Sequence, residues 1–260
     1  LSLAPSRTLG GRNPISFGPG MARIPVPIQE VRMFTKTLMV NGVARQVLVT
    51  AGDVLANVLR NQLKLTSVKI GCEKGQCGAC SIILNGKLVR SCVFKMNRVE
   101  DNAEITTLEG LGTPDHLHPL QEAWIFHGAA QCGFCTPGFI LSAKNLLDHN
   151  PNPTREDVRD WFQKHRNVCR CTGYIPLVDA VMDAAAVMRG DKDIEEIRYK
   201  LPAGASAFGS RLPRPSAVAK VTGTAEYGAD AAVRMPAGTL HLALAQAKVS
   251  HAIIHGIDTS

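Results

Sequence analysis

Eight cysteines constrain this chain more than any other feature, and VCRC (168–171) is the hardest of them to place. Cys169 and Cys171 stand one residue apart, too close along the chain to satisfy disulfide geometry readily with each other. If they are ligands, the rest of their coordination must come from distant residues. The other cysteines lie in GCEKGQCGAC (71–80), at Cys92 and in CGFC (132–135). Any fold for this sequence has to account for all of these thiols.

A length of 260 residues is enough for one large domain or two small ones with proper cores. A hydrophobic content of 45% with 20% charged residues is ordinary for a globular protein. No apolar run approaches the ~18 residues a membrane span needs. Residues 1–32 are rich in Pro, Gly, Ser and Arg, and they lack both the paired-arginine start and the apolar core of a signal peptide. They read as a disordered extension ahead of Met33, the expected true start, and the expected location is cytoplasmic. Arg7, Arg12, Arg23 and Arg32 against Glu30 supply three of the seven net positive charges. The mild remainder has no basic run interleaved with aromatics, which speaks against nucleic-acid binding.

Two apolar stretches, FTKTLMV and ARQVLVT, flank Asn41-Gly42, a strong hairpin signal. Asp53 then reads as the N-cap of a helix with Leu55, Val58, Leu59 and Leu63 along one face. The cysteine-rich loop follows. A second hairpin, SIIL-NG-KLVRSCVF, turns at Asn85-Gly86, and a strand at 104–108 completes an α+β unit. After Pro114 the pattern becomes helical. His118–Gly128 reads as one helix and Thr136-Pro137 caps a second. Thr154 and Asp157 form a capping box for a third, and IPLVDAVMDAAAVM makes a fourth that ends at Gly190. A charged stretch and LPAGASAFGSRLPRPS read as a linker over 191–216. Residues 217–260, with the strand-like GTLHLALAQAKV, read as the truncated start of a third domain. The domains expected are thus 33–113 and 114–190, followed by the linker and that fragment.

Cys72, Cys77 and Cys80, with Cys92 further on, have the C-x4-C-x2-C…C spacing of plant-type [2Fe–2S] ferredoxins. Gly71, Gly75 and Gly78 are expected to allow positive φ, so that backbone N–H groups can turn toward the sulfurs. Structural zinc usually shows two close CxxC-type pairs, and disulfides belong to small secreted domains, so iron–sulfur is the better reading. Alone, C-x2-C…C-x-C fits iron–sulfur, zinc or a redox-active CxxC. Antiparallel packing of the helix pairs would bring both inter-helix turns to one end of a bundle, where Cys132, Cys135, Cys169 and Cys171 converge. Beside the first set, a second cluster gains weight, because two clusters in adjacent domains make an electron relay and no cysteine is left over.

GCEKGQCGAC…C followed by QCGFCTPGF and CRCTGY resembles the iron–sulfur portion of the xanthine oxidase (molybdenum hydroxylase) family over about 33–190. PRPSAVAKVTGTAEYGAD is similar to the opening of that family's large molybdenum-binding part. Within the family the chain looks most like the single-chain, flavin-free aldehyde oxidoreductases of sulfate-reducing bacteria, since a short linker stands where other members place an FAD domain or subunit. The resemblance implies a β-grasp plant-type ferredoxin domain, a four-helix [2Fe–2S] domain, and a molybdopterin cytosine dinucleotide bound mainly by the part beyond this sequence. It implies oxidation of an aldehyde by water to a carboxylic acid. Electrons would then pass through the Cys132/Cys135/Cys169/Cys171 cluster, next through the Cys72/Cys77/Cys80/Cys92 cluster, and out to an external flavodoxin or ferredoxin. It also hints at a homodimer in the full-length protein. Carried over residue by residue, it makes Gln131 and Cys171 pterin contacts; read locally, Gln131 is a polar residue at a helix end. No catalytic residue falls in this fragment, which is expected to carry electrons and oxidise nothing. The competing readings are a free-standing small subunit of a multi-subunit hydroxylase and a zinc-binding structural protein.

Other residues are read more plainly. His116 and His118 are expected to be capping or surface groups. Trp124, Phe126, Trp161 and Phe162 are expected in the core. Glu73 and Lys74 suit either a solvated loop face or a redox-partner contact. Arg170 either raises a cluster potential by its charge or pairs with a helix carboxylate.

Overall fold

The computed structural model describes residues 32–200, 212–236, 238–240 and 242. Residues 1–31, 201–211 of the linker, and 241 and 243–249 of the strand-like stretch therefore lie outside the described residues. A mixed five-stranded sheet is built from β1 (Met33–Val40), β2 (Val43–Thr50), β3 (Ser81–Leu84), β4 (Lys87–Arg90) and β5 (Ala103–Thr106), in the order β2-β1-β5-β3-β4. β1 runs antiparallel to β2 and parallel to β5, while β3 is antiparallel to both β4 and β5. Both hairpins turn where expected. Asn41-Gly42 and Asn85-Gly86 are left-handed at both positions, which matches the twist of the flanking strands. Alternation then buries Leu38, Val40, Val47 and Val49.

The helix after β2 departs from expectation at its start. Val54, not Asp53, is the N-cap and has no side-chain cap. The Asp53 carboxylate instead accepts the Thr50 N–H at 2.8 Å and closes the β2 turn. α1 (Leu55–Asn57) continues as a π-helical turn over Val58–Gln62, together burying Leu55, Ala56, Val58 and Leu59. β4 also stops earlier than the hairpin pattern implies. The Ser91 hydroxyl donates to the Cys80 carbonyl at 2.7 Å, and Ser91–Val93 becomes a 3-10 turn that carries Cys92. β5 ends at Thr106, and Leu108–Gly110 forms another such turn rather than continuing the strand.

The second half contains α2 (Pro119–Phe126), α3 (Thr136–His149), α4 (Arg155–Lys164) and α5 (Tyr174–Arg189). His118 caps α2: its Nδ1 accepts the Leu120 N–H, and Gln121 Oε1 accepts the His118 N–H in return. Thr136 and Pro137 are the first residues of α3, so Cys135 takes the N-cap position assigned to them from the sequence. The capping box at Thr154 and Asp157 forms as expected. α5 ends on left-handed Gly190. Trp124, Phe139, Ile140, Val158, Phe162, Leu177 and Val181 form the core between these helices. Phe126 departs from the expected core and is 43% exposed. Ile197, inside the expected linker, is completely buried in this core.

The two halves meet at glycines. A Cβ on Gly138 of α3 would collide with the Gly78 carbonyl, and one on Gly78 would stand 2.7 Å from Asn167 Nδ2. Asn145 Nδ2 donates to the Gly86 carbonyl at 2.8 Å and ties α3 to the second hairpin. Two short helices that sequence reasoning did not foresee, α6 (Ala217–Thr222) and α7 (Gly228–Arg234), pack back onto this body. No helix among the described residues is long and apolar enough to cross a membrane.

Candidate metal centres

All eight cysteines are free thiols. In the first loop, Glu73, Gly75 and Gly78 adopt positive φ. Gly71 does not, contrary to expectation; it is needed for room, because its Cβ would lie 3.3 Å from Cys77 Sγ. The N–H groups of Lys74 and Gln76 point at Cys72 Sγ from 3.5 and 3.2 Å. Burial opposes ionisation of Cys72, yet these two donors outweigh it and bring the thiol down to about 7. Burial pushes Cys77 up and lifts Cys80 to about 12. The thiols associate in pairs, Cys72 with Cys77 and Cys80 with Cys92.

The second set comes together as the helical topology requires. Cys132 and Cys135 sit on the turn between α2 and α3, and Cys169 and Cys171 on the turn between α4 and α5. The thiols meet in a chain, Cys132 with Cys171, Cys171 with Cys169, and Cys169 with Cys135. Burial raises Cys135 strongly and Cys132 less so. Cys171 is lowered, chiefly by the backbone N–H of Cys132. The Cys169 N–H donates to Tyr174 Oη at 2.9 Å, which pins the turn to the start of α5. Gln131 is half-buried, and its side-chain nitrogen lies 3.1 Å from where a Gly173 Cβ would be, two residues past Cys171.

The two sets face each other. A cavity of about 210 Å³ is lined by Cys72 and Cys77 from one loop and Cys132 and Cys135 from the other, with Phe134 and Arg170 between them. The Val168 N–H donates to the Cys77 carbonyl at 3.1 Å, so one hydrogen bond joins the first loop to the residue preceding Cys169. Among the described residues, no group of three or more His, Cys, Asp or Glu side chains is arranged to hold a single metal ion. Within each set the four sulfurs lie close enough together to interact.

The outer side of the CGFC turn is covered by the segment carrying α6 and α7. Lys220 Nζ donates to the Gln131 carbonyl and Tyr227 Oη to the Cys132 carbonyl, both at 2.7 Å. The Tyr227 ring meets Phe134 edge-on at 5.6 Å, and the Lys69 ammonium lies 4.5 Å over its face. Asp230 anchors the segment: it accepts Arg60 at 2.8 Å and pairs with Lys69, with all three side chains buried. Burial pushes the Asp230 carboxyl up, but Lys69 and Arg60 hold it below the usual carboxylate range. Sequence reasoning missed this cluster; its one visible signal was cations at 60 and 69 within an otherwise apolar pattern. His116 is exposed and His118 is a cap, so neither joins a metal site.

The fold and its paired thiols define a two-domain iron–sulfur protein. Residues 38–107 match the family described as a 2Fe-2S iron-sulfur cluster binding domain, and residues 107–182 match the [2Fe-2S] binding domain. The chain is 66% identical to an aldehyde oxidoreductase of Megalodesulfovibrio gigas over 88% of its own length and 25% of the relative's. It is 50% identical to the nicotine 6-hydroxylase small subunit of Paenarthrobacter nicotinovorans, over 56% of this chain and 86% of that one. The crystal structure of the aldehyde oxidoreductase from Desulfovibrio desulfuricans superposes with a TM-score of 0.83 at 72% identity, covering 85% of this chain and 24% of that one. The chain belongs to the xanthine oxidase (molybdenum hydroxylase) family and corresponds to its iron–sulfur portion. It spans about a quarter of the length of the aldehyde oxidoreductases it resembles.

Proposed function

We propose that the eight cysteines hold two [2Fe–2S] clusters, Cys72/Cys77/Cys80/Cys92 on a β-grasp domain and Cys132/Cys135/Cys169/Cys171 on a four-helix domain. On this reading they serve as the electron relay of a molybdenum-dependent aldehyde oxidoreductase. The observation that carries the reading is the gathering of each set of four thiols, on loops that face one small cavity, within segments that match two 2Fe-2S binding families. Four thiolates also suit a tetrahedral zinc, and it is the match of both segments to 2Fe-2S binding families that favours iron. When bound, the clusters take electrons singly, so two in series divide a two-electron oxidation into one-electron transfers.

The chain's own residues then have distinct tasks. Lys74 and Gln76 donate to Cys72, and Tyr174 and Val168 fix the turn that carries Cys169. Gln131 and Cys171, on the side of the second site next to Gly173, are the proposed contacts to a molybdopterin cytosine dinucleotide held mainly by a larger part beginning near 217. The aldehyde would bind at that cofactor, outside this chain, so the chain alone carries electrons and oxidises nothing. Electrons would leave from the first site to an external flavodoxin or ferredoxin, with no FAD in between. Exposed Val93, next to Cys92, sits between two surface hollows rimmed by Arg90, Lys95, Arg98 and Lys164, with Glu73 the one carboxylate in their lining. Among the described residues none of these four cations has a carboxylate partner, and that field favours an acidic carrier. A cytoplasmic location and a homodimer in the full-length protein accompany this reading.

Metal analysis tests it directly. The purified chain should hold about four irons and about four inorganic sulfides with no zinc, and dithionite should develop two distinct EPR signals. A colourless, zinc-loaded protein would overturn the assignment.

A further inference from the structure

We propose that the α6–α7 segment is a tuning clamp for the second cluster, with Lys220 and Tyr227 as positioning residues that raise its reduction potential. This rests on the cluster assignment above and adds to it a role for residues outside the ligand set. Lys220 and Tyr227 lie 89 and 95 positions beyond the carbonyls they reach, on consecutive peptides of the turn that carries Cys132. Gly133 makes the approach possible. Its φ is +89°, and a Cβ there would stand 2.6 Å from both Lys220 Cδ and Tyr227 Oη. The turn and the clamp are therefore fitted to each other.

The clamp is also held more firmly than packing of two short helices would require. Asp230 is 1% exposed, and it draws in Arg60 and Lys69, which are 6% and 2% exposed. Burying three ionised groups carries a large desolvation cost, offset only by close mutual pairing and further hydrogen bonds. Arg60 supplies those bonds, donating to the Thr66 and Val68 carbonyls as well. Lys69 then stacks on the ring of Tyr227, whose hydroxyl meets the Cys132 carbonyl. Anchor and contact form one connected unit.

The electrostatic consequence has a definite sign. Reduction adds a negative charge to a four-thiolate cluster. Two donors directed at its loop, the Lys220 cation and the Tyr227 hydroxyl, stabilise the reduced form, because hydrogen bonding and nearby charge set such potentials. The ferredoxin-like cluster receives none of these contacts. The clamp thus acts chiefly on the cluster whose loop it touches.

The test is redox titration of the reconstituted full chain, followed by EPR, with the helical-domain signal assigned by its loss in Cys169→Ser. Lys220→Met should lower the reduced-to-oxidised ratio of that cluster about tenfold at fixed potential, about 59 mV for one electron. The other cluster's midpoint should stay in place, and Lys220→Arg should restore the shifted one. Tyr227→Phe removes only the hydroxyl and should shift the same midpoint in the same direction by about threefold. It serves as the deciding variant if Lys220→Met does not fold. Unchanged midpoints with a lowered melting temperature would reduce the clamp to a structural prop and overturn the proposal. Absence of both signals in the unsubstituted chain would instead remove the cluster assignment beneath it.

Discussion

The two thiol sets have the same number of cysteines but are assembled in opposite ways. Cys72, Cys77 and Cys80 share one loop, and Cys92 returns to them through a four-residue-a-side hairpin. The second set has no local unit: two turns, separated by α3 and α4, must be brought together by helix packing, and a third segment from beyond residue 216 covers them. The first site is therefore set largely by backbone conformation within one loop. The second depends on the tertiary structure of the whole helical half. A perturbation of packing should be felt at the second site well before the first.

The sharpest break in that comparison is Cys169→Ser. It should abolish one EPR signal, keep the other, and reduce bound iron from about four to about two per chain. Loss of the Cys72-site signal instead would show that the two quartets are wrongly partitioned. Loss of both would show that the halves do not fold independently enough for the contrast to hold.

This asymmetry also explains what could be read from the sequence. The first site was legible because its spacing, its Asn85-Gly86 turn and its ligands fall within 21 residues, Cys72 to Cys92. The second was legible only by way of the helices, whose caps at Thr154 and Gly190 are local signals. Asp53 misled because a short polar residue before an apolar face reads as an N-cap; here its carbonyl accepts the Met96 N–H and its carboxylate closes a strand turn. Tertiary pairing overrode propensity. The Asp230 anchor had no periodic signature at all, since Arg60 lies 170 positions away. Gly71 was expected to matter through left-handed backbone; instead a side chain there would crowd Cys77 Sγ.

The seam between the halves offers a smaller and more graded test. Gly138→Ala forces a methyl against the Gly78 carbonyl and Ala79, beside the first loop. Overpacking against backbone costs about 1–3 kcal/mol, which should appear as a lower urea midpoint at unchanged slope. Gly190→Ala is the control. It meets nothing within 4 Å and carries only a left-handed backbone penalty of about 1 kcal/mol, which helical Gly138 does not have. If Gly138→Ala costs no more than the control, the two loops are not held in close register, and the Val168–Cys77 hydrogen bond loses its importance.

The smallest effect separates the halves by pH. His118 caps α2 as a neutral acceptor, and burial, aided by the Lys144 charge, lowers it from 6.5 to about 4. Between those values the unfolded chain binds a proton that the native cap refuses. This contribution to stability is full above pH 6.5 and is lost as pH falls toward 4. After allowance for solvent screening it amounts to about 1–2 kcal/mol. His118→Asn keeps a good N-cap and removes the titration. Between about pH 7 and about pH 4, the variant should therefore lose less melting temperature than the unsubstituted chain, with acid attack on the clusters common to both. Because α2 leads directly into the CGFC turn, the second EPR signal should fade first on acidification, and His118→Asn should narrow the interval between the two. An unchanged interval would mean that the α2 cap does not control that turn, and that the weakness of the second site lies in its covering segment alone.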